Sequence, residues 1–592
     1  MTPPIASRGI RVHFLLLLGG LFFLALFLGL EPLGFYPIWG SDTGEYYYLT
    51  NYLVEHGQFL LSGYPGKGFG YPFFPGMFIL GGAVSEATSA PVLSALQVTV
   101  PVLGAFAVLP LFLLFRRLFP SDGVALTAAG IATVAFPRIF ILAHSVPDTL
   151  GDLLAVSSLW MLVEQRRDAR WMVPLFLTSS ALIISHHLSS YFLLILGLTM
   201  VVGLEFVTPG RWSRRFPVRE FVFFGIFSLA LFSYWILYAV PFRRELTDIP
   251  FLHVSSDAIL VLLVIATLAV IVLAAVFVHL RRGRFSKLRS IARPKWATDP
   301  KLIRDFTLLM LFIVSGALLL VVFPIPGTTQ RIPLLDVLWF LPLISLVPLS
   351  AGGIGTSAGS RLAPIPYAWV MAILISATGA AVLNIQALPV ERHAEWAVIA
   401  MAMLVAVGLG GLVARTERSD WKRFAVGGIM CVLIGANAWV ALPPPQVTDG
   451  FQEGFTPEDL ALVGWGAHSV AIGTTLAADY RLSDMYFGLS GNPATWSNTC
   501  VLFLGNLTRC GITSGNVSRE VAAELNDSLA PNHLSPVDAV AVDQTMISVG
   551  VALDPSQPTY PMAPSQLAFL QGPDFVLLYE NGPQEMWWFT GT

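Results

Sequence analysis

Between residues 11 and 442 the chain is one apolar stretch after another, many of them about as long as the ~20 residues a helix needs to cross a bilayer. Lipid offers a backbone no hydrogen bonds, so such stretches satisfy their amides and carbonyls internally and are expected to be helices. Strand-type alternation is absent, which excludes an outer-membrane barrel. Only 12% of the 592 residues are charged, where soluble domains carry about 25%. The first stretch, 12–30, follows Arg8 and Arg11. It is long for a signal core and lacks a small-residue cleavage site before Glu31-Pro32-Leu33, so it reads as a retained anchor.

Basic residues mark the loops that stay in the cytoplasm. They fall at alternate gaps: Arg8 and Arg11, Arg116-Arg117, Arg166 to Arg170, Arg211 to Arg219, Arg281 to Arg304, the lone Arg361, and Arg415 to Arg423. These groups hold 25 of the 34 Lys and Arg. The intervening gaps hold Lys67, Arg138, Arg243, Arg244, Arg331 and Arg392. The alternation predicts an α-helical polytopic membrane protein of about 13 transmembrane helices, N-terminus in the cytoplasm and C-terminus outside. The loop Arg281 to Arg304 carries nine basic residues and reads as a topology anchor against anionic lipid.

Pro443-Pro444-Pro445 ends the membrane part, giving domains at 1–442 and 443–592. The tail holds three Lys and Arg against fifteen Asp and Glu, and reads as an extracytoplasmic α/β domain. Thr456-Pro457 looks like a helix cap followed by a first-turn proline. Short apolar runs at 501–504, 539–542 and 575–579 read as strands. Cys500 and Cys510 are expected to pair outside the cell; two buried free thiols are the alternative. Three Asn-x-Ser/Thr triplets begin at Asn506, Asn516 and Asn526, all in the tail. The net charge of −3 gives no sign of a nucleic-acid partner, and none is expected.

Ionisable clusters recur on the predicted outer side. The first outer loop reads Ser41-Asp42-Thr43-Gly44-Glu45-Tyr46, the second His144-Ser145-Val146-Pro147-Asp148, and a third turn carries His186-His187. Charges at a membrane boundary are costly and tend to be functional. Each cluster also has a plain reading: Asp42 to Glu45 and Ser145 to Asp148 have capping-box spacing, and paired histidines also stack. A carboxylate base, a second acidic group able to hold a divalent ion, and a guanidinium for phosphate make up the equipment for glycosyl transfer from a phosphate leaving group. Arg331, Arg243 and Arg244 are candidates for the phosphate, with lipid headgroups as the alternative partner of the last two.

In order and sidedness the motifs resemble the GT-C superfamily of membrane glycosyltransferases: Ser41-Asp42-x-x-Glu45-Tyr46, then Tyr71-Pro72-Phe73-Phe74-Pro75-Gly76, then Ser145-Val146-Pro147-Asp148. That resemblance implies a polyprenyl-phosphate-linked sugar donor and a glycan, lipid or protein acceptor. It makes Asp42 the catalytic base, Asp148 the second acidic site, and Glu45 a further catalytic carboxylate. Tyr46, His186 and His187 become candidate substrate contacts, and Asp42 with Asp148 candidate ligands of a Mg or Mn ion. Asp42, Asp148 and His186 or His187 are expected to converge near one outward-facing cavity. Gly473 to Ser483 and Gly491 to Trp496 look like segments of archaeal membrane proteins. The layout is similar to oligosaccharyltransferases, but their Trp-Trp-Asp-Tyr-Gly motif is replaced by Trp587-Trp588-Phe589-Thr590. Their long outer loop is replaced by a short turn from Pro324 to Pro333. A membrane transporter is the alternative from another class, though no matching halves are evident.

Overall fold

The computed structural model describes residues 12–119, 121–207, 217–247, 256–282, a few positions between 315 and 323, 333–357, 364–383, most of 385–389, 392–415, 420–448, 450–526, 528–530, 533–553 and 559–591. The chain is mostly helical and forms two compact units. The first comprises residues 1–29, 102–141 and 147–442; the second comprises 30–101, 142–146 and 443–592. The sequence boundary at 442/443 is therefore one boundary of the second unit, which also takes in residues 30–101 and 142–146.

Among the described residues seven helices are long and apolar enough to cross a membrane: Val12–Gly34, Val92–Leu118, His187–Glu205, Val218–Tyr238, Ala258–His279, Ile365–Val382 and Arg392–Gly410. The helices Asp122–Val134 and Phe136–Ala143 bend by 54° at Ala135 and make an eighth if taken as one broken span. The count of about 13 goes beyond this, partly because some expected spans are short helices: Met172–Ser185 has only 14 residues. Others lie outside the described residues. Apolar side chains stand exposed along these helices, among them Leu262, Ile265 and Leu273 at 60%, 57% and 66%. Faces of that kind belong against lipid.

In the first unit the helix Leu341–Ser357 lies against Arg392–Arg415 so closely that a Cβ on Gly353 would sit 1.9 Å from the Leu404 carbonyl oxygen. At the ends read as cytoplasmic, Arg116 pairs with Asp122 at 2.9 Å and Arg166 with Glu205 and Glu220 at 3.2 and 2.7 Å.

In the second unit a four-stranded sheet runs in the order Leu476–Ala477, Ala539–Val542, Gln584–Phe589, Phe575–Asn581, the first pair parallel and the others antiparallel. The helices Pro457–Ser469 and Tyr480–Ser490 pack beside it. Thr456 caps the first of these in a full capping box with Asp459, with Pro457 in the first turn. The expected strand at 501–504 is instead a short helix, Cys500–Leu504, whose leading amides Val501 N–H and Leu502 N–H donate to the Glu524 carboxylate at 2.9 and 2.7 Å. Cys500 and Cys510 are disulfide-bonded, with Cα atoms 5.7 Å apart. Residues 38–39 pair antiparallel with 454–455, joining the segment before Asp42 to the tail within this unit.

Candidate functional site

Asp42 stands at the N-cap position of the helix Thr43–His56 but makes no capping hydrogen bond. The helix start is satisfied from elsewhere. Asp484 Oδ2 accepts the Gly44 and Glu45 amides at 2.6 and 3.2 Å, which satisfies two of the leading N–H groups of the helix. Two glycines allow the approach: a Cβ on Gly44 would sit 2.0 Å from the Asp484 carbonyl oxygen, and one on Gly488 would sit 2.4 Å from the Gly44 carbonyl oxygen. With capping handed to Asp484, the Asp42 carboxylate faces hydroxyls. Tyr480 donates to Oδ1 at 2.5 Å and Tyr46 to Oδ2 at 3.4 Å. The Tyr46 hydroxyl lies 3.3 Å from that of Tyr71, and Lys67 Nζ lies 4.1 Å from the Tyr480 ring centroid.

Glu45 turns away from the helix start and holds the loop that follows it. Its carboxylate accepts from the Tyr64 hydroxyl at 2.9 Å and from Gly68 N–H at 2.9 and 3.2 Å. The capping-box reading of Asp42 and Glu45 is therefore replaced by two separate jobs. Burial, reinforced by the charge of Asp42, pushes Glu45 up to about 7 against the Gly68 and Tyr64 hydrogen bonds. Burial together with Glu45 and Asp42 also raises Asp484 well above the ordinary carboxylate range. Glu453 goes the other way: burial would raise it, but the adjoining His144, 3.3 Å away, and the Ser41 amide hold it low. The neighbouring acids thus hold protons at different strengths, an arrangement able to keep one of them ionised as a base.

The second constellation belongs to the first unit. Asp148 and Asp152 lie four apart on the helix Pro147–Glu164 and so share a face. Ser145, at φ 54°, does not cap this helix: its buried hydroxyl has no hydrogen-bond partner among the described residues. The Ser189 hydroxyl lies 3.0 Å from Asp148 Oδ1, 3.1 Å from Asp152 Oδ1 and 2.9 Å from His186 Nδ1. His186 Nδ1 itself is 3.1 Å from Asp148. Gly151 permits this crowding, since a Cβ there would meet the His186 Cβ at 2.6 Å. Arg138 bridges Asp152 and Glu395 at 3.0 and 3.3 Å, and Arg392, 39% exposed, reaches Asp148 at 3.3 Å. Three carboxylates therefore face two guanidiniums.

The carboxylate oxygens of Asp148, Asp152 and Glu395 lie within 4.8 Å of one another, close enough to share a metal ion. All-oxygen donors suit Mg²⁺ or Mn²⁺. Arg138 meets Asp152 and Glu395 and Arg392 meets Asp148, so an ion there would share the three carboxylates with two guanidiniums.

The candidates thus fall as follows. Asp42, Glu45 and Tyr46 lie in the second unit; Asp148, His186 and His187 lie in the first. Of the histidine pair, His186 lies 3.1 Å from Asp148 through Nδ1. His187 packs against Phe242, with ring centroids 4.4 Å apart and the rings tilted by 52°. Arg243 is half-buried on the helix Val240–Thr247, which also carries Arg244. The side chain of Arg244 and the whole of Arg331 lie outside the described residues. Sequence reasoning did not single out Tyr480, Asp484, Tyr64, Ser189, Arg138, Arg392 or Glu395. Tyr480 and Asp484 carried one local signal: Asp479, Tyr480, Arg481 and Asp484 crowd a segment that otherwise reads as core.

No protein-family profile and no curated protein matches the chain by sequence. Solved structures do match. The oligosaccharyltransferase of Archaeoglobus fulgidus in its apo form is similar over 91% of this chain and 70% of its own, at 14% identity and a TM-score of 0.55. The same enzyme tethered to an acceptor peptide with an Asn-Val-Thr sequon matches over 90% and 70%, again at 14% and 0.55. A further structure of it, at 15% identity, is a complex with Zn and sulfate and covers 90% and 68% at a TM-score of 0.54. ArnT of Cupriavidus metallidurans bound to undecaprenyl phosphate aligns over 98% of both chains at 11% identity, but a TM-score of 0.36 carries no argument. The chain thus shares the fold of the Archaeoglobus fulgidus oligosaccharyltransferase, and identities this low speak for the fold alone. Trp587 and Trp588 occupy the strand Gln584–Phe589, paired on both sides, with Trp587 Nε1 donating to Glu585 at 3.0 Å.

Proposed function

We propose that the protein is a membrane glycosyltransferase that moves a sugar from a polyprenyl-phosphate carrier to an extracytoplasmic acceptor, with inversion at the anomeric carbon. The observation that carries this is Asp42, relieved of capping by Asp484 and oriented by the Tyr480 hydroxyl. An acceptor hydroxyl attacks C1 of the sugar and gives its proton to Asp42. The C1–O bond breaks, and the lipid phosphate leaves with the bonding pair. Developing charge on that phosphate needs a cation, and Lys67, half-buried beside the Tyr480 ring in the same unit as Asp42, is suited to it. In the first unit, Asp148 with Asp152 or Glu395 would hold a divalent ion, which would supply positive charge to that constellation. The outer location of both sites and of residues 443–592 is part of this proposal.

The test is transfer by the purified full chain in lipid nanodiscs, using radiolabelled polyprenyl-phosphate sugars and scoring both labelled acceptor and released lipid phosphate. Release and transfer that both require Asp42 support the reading. Donor that stays intact with every sugar, metal and acceptor class offered counts against it. Transfer to protein is favoured by the peptide-bound neighbour, and substituting a sequon peptide as acceptor separates it. A transporter is favoured by the span broken at Ala135, which carries Arg138. Donor translocated across a sealed vesicle without hydrolysis would establish that instead.

A further inference from the structure

The tail carries three Asn-x-Ser/Thr triplets at a spacing of ten, and nothing in the proposed reaction uses them. The chain has ten asparagines, and these three lie within 21 residues of one another. Asn506, Asn516 and Asn526 are all exposed, as are the triplet hydroxyls of Thr508 and Ser518. Their side-chain amides are used differently. Asn506 accepts the Arg509 N–H through Oδ1 at 3.1 Å, and Asn516 accepts the Ser518 N–H through Oδ1 at 2.9 Å. In both, the oxygen is turned to the backbone, and no described residue takes the Nδ2 protons. Asn526 is the reverse. It ends the helix Val517–Asn526, and its Nδ2 donates to the Ala522 carbonyl at 2.8 Å. The disulfide between Cys500 and Cys510 closes the turn that bears Asn506. A bond of that kind persists on the oxidising side of a membrane, where acceptor triplets of this type are modified.

We propose that Asn506 and Asn516 are N-glycosylation sites of this protein, that Asn526 is not, and that the donor is a lipid-phosphate-linked saccharide used by a cellular oligosaccharyltransferase. The proposal rests on the reading that residues 443–592 are extracytoplasmic. The reaction joins Nδ2 to C1 of the sugar and breaks the bond from C1 to the phosphate oxygen. Nδ2 gives one proton to a base on the modifying enzyme, and the lipid phosphate leaves with the bonding pair. An exposed asparagine on a turn can be drawn into an enzyme's cleft. One whose nitrogen is held in the last turn of a helix must first unwind that turn.

The full chain is produced in an archaeal host that N-glycosylates its surface proteins, and in the same host lacking its oligosaccharyltransferase. Peptides from the purified protein are read by mass spectrometry with electron-transfer fragmentation, and Cys500 and Cys510 by alkylation without reductant. The expected result is a saccharide mass on the Asn506 and Asn516 peptides in the competent host alone, with a bare Asn526 peptide. Asn506→Gln and Asn516→Gln each remove one increment and leave the other. Bare Asn506 and Asn516 with blocked cysteines overturn the proposal and leave the sidedness standing. Bare asparagines with freely alkylated cysteines overturn both. Saccharide on Asn526 overturns the distinction drawn from its amide.

Discussion

The two acidic constellations use the same residue type in opposite ways. In the second unit Asp42, Glu45 and Asp484 accept from hydroxyls and amides: the hydroxyls of Tyr480, Tyr46 and Tyr64, and the amides of Gly44, Glu45 and Gly68. In the first unit Asp148, Asp152 and Glu395 are met by the guanidiniums of Arg138 and Arg392. A hydroxyl or amide orients a carboxylate without neutralising it, whereas a guanidinium cancels its charge. The first arrangement suits a group that must take up a proton. The second suits one that must stay charged while something else binds.

The largest expected effect tests the first half of that contrast. Asp42→Asn keeps the side chain's shape and an oxygen for Tyr480 to donate to, but cannot take a proton. Transfer should fall by roughly 10²–10⁴, the usual share of general-base catalysis, with the melting temperature unchanged. Full activity in this variant would leave Asp148 as the leading base and remove the distinction between the two constellations.

The second half is tested through stability. Arg138→Met leaves Asp152 and Glu395 buried with their shared guanidinium gone. Removing one member of a buried ion pair typically costs about 3–5 kcal/mol. Denaturation of the solubilised variant should show a loss of that size. A loss below about 1 kcal/mol would mean that the guanidinium is not what compensates these acids.

Glu45 gives a smaller effect with a definite sign. Its folded value of about 7 lies above the ordinary 4.5, so the folded state holds its proton more tightly than the unfolded chain does. The associated stability is fully present below about pH 4.5 and is lost as pH rises through 7. The change is on the order of 3 kcal/mol. Across that window Glu45→Gln should flatten the pH dependence of unfolding, measured on the wild type and the variant in parallel. An unchanged slope would show that Glu45 is not the group responsible.

The sequence made some of this legible and hid the rest for physical reasons. The apolar stretches announced the helices because their length is a direct consequence of bilayer thickness. The Asp42 to Glu45 spacing pointed to the right loop. It could not show that a carboxylate 440 positions away from Gly44 would take over the cap, since nothing local encodes that contact. Residues 501–504 misled for a similar reason. A run of four apolar residues has no period, and its helical start is completed by Glu524, over twenty positions downstream. The partners of Asp148 were hidden likewise: Glu395 and Arg392 lie more than two hundred positions away and read as flanks of a late span.

Tyr480 offers the finest test of the contrast, because it is the neutral donor nearest to Asp42. Tyr480→Phe removes one oxygen and keeps the ring, with its packing and the Lys67 ammonium 4.1 Å from its centroid. Folding should survive the change. What is lost is a hydrogen bond to a carboxylate, of a class worth about 1.5–3 kcal/mol. If that bond holds Asp42 in line for the acceptor's proton, the loss appears in the chemical step: kcat falls about tenfold, at the lower end of that range, while KM stays within a factor of about two. If Tyr480 touched substrate directly, KM would rise instead, because binding rather than alignment would suffer. If the hydroxyl served packing alone, neither constant would move. A tenfold fall in kcat at constant KM therefore assigns the orientation of Asp42 to a residue of the tail, and unchanged kinetics would return that task to Tyr46, whose hydroxyl lies 3.4 Å from the other carboxylate oxygen.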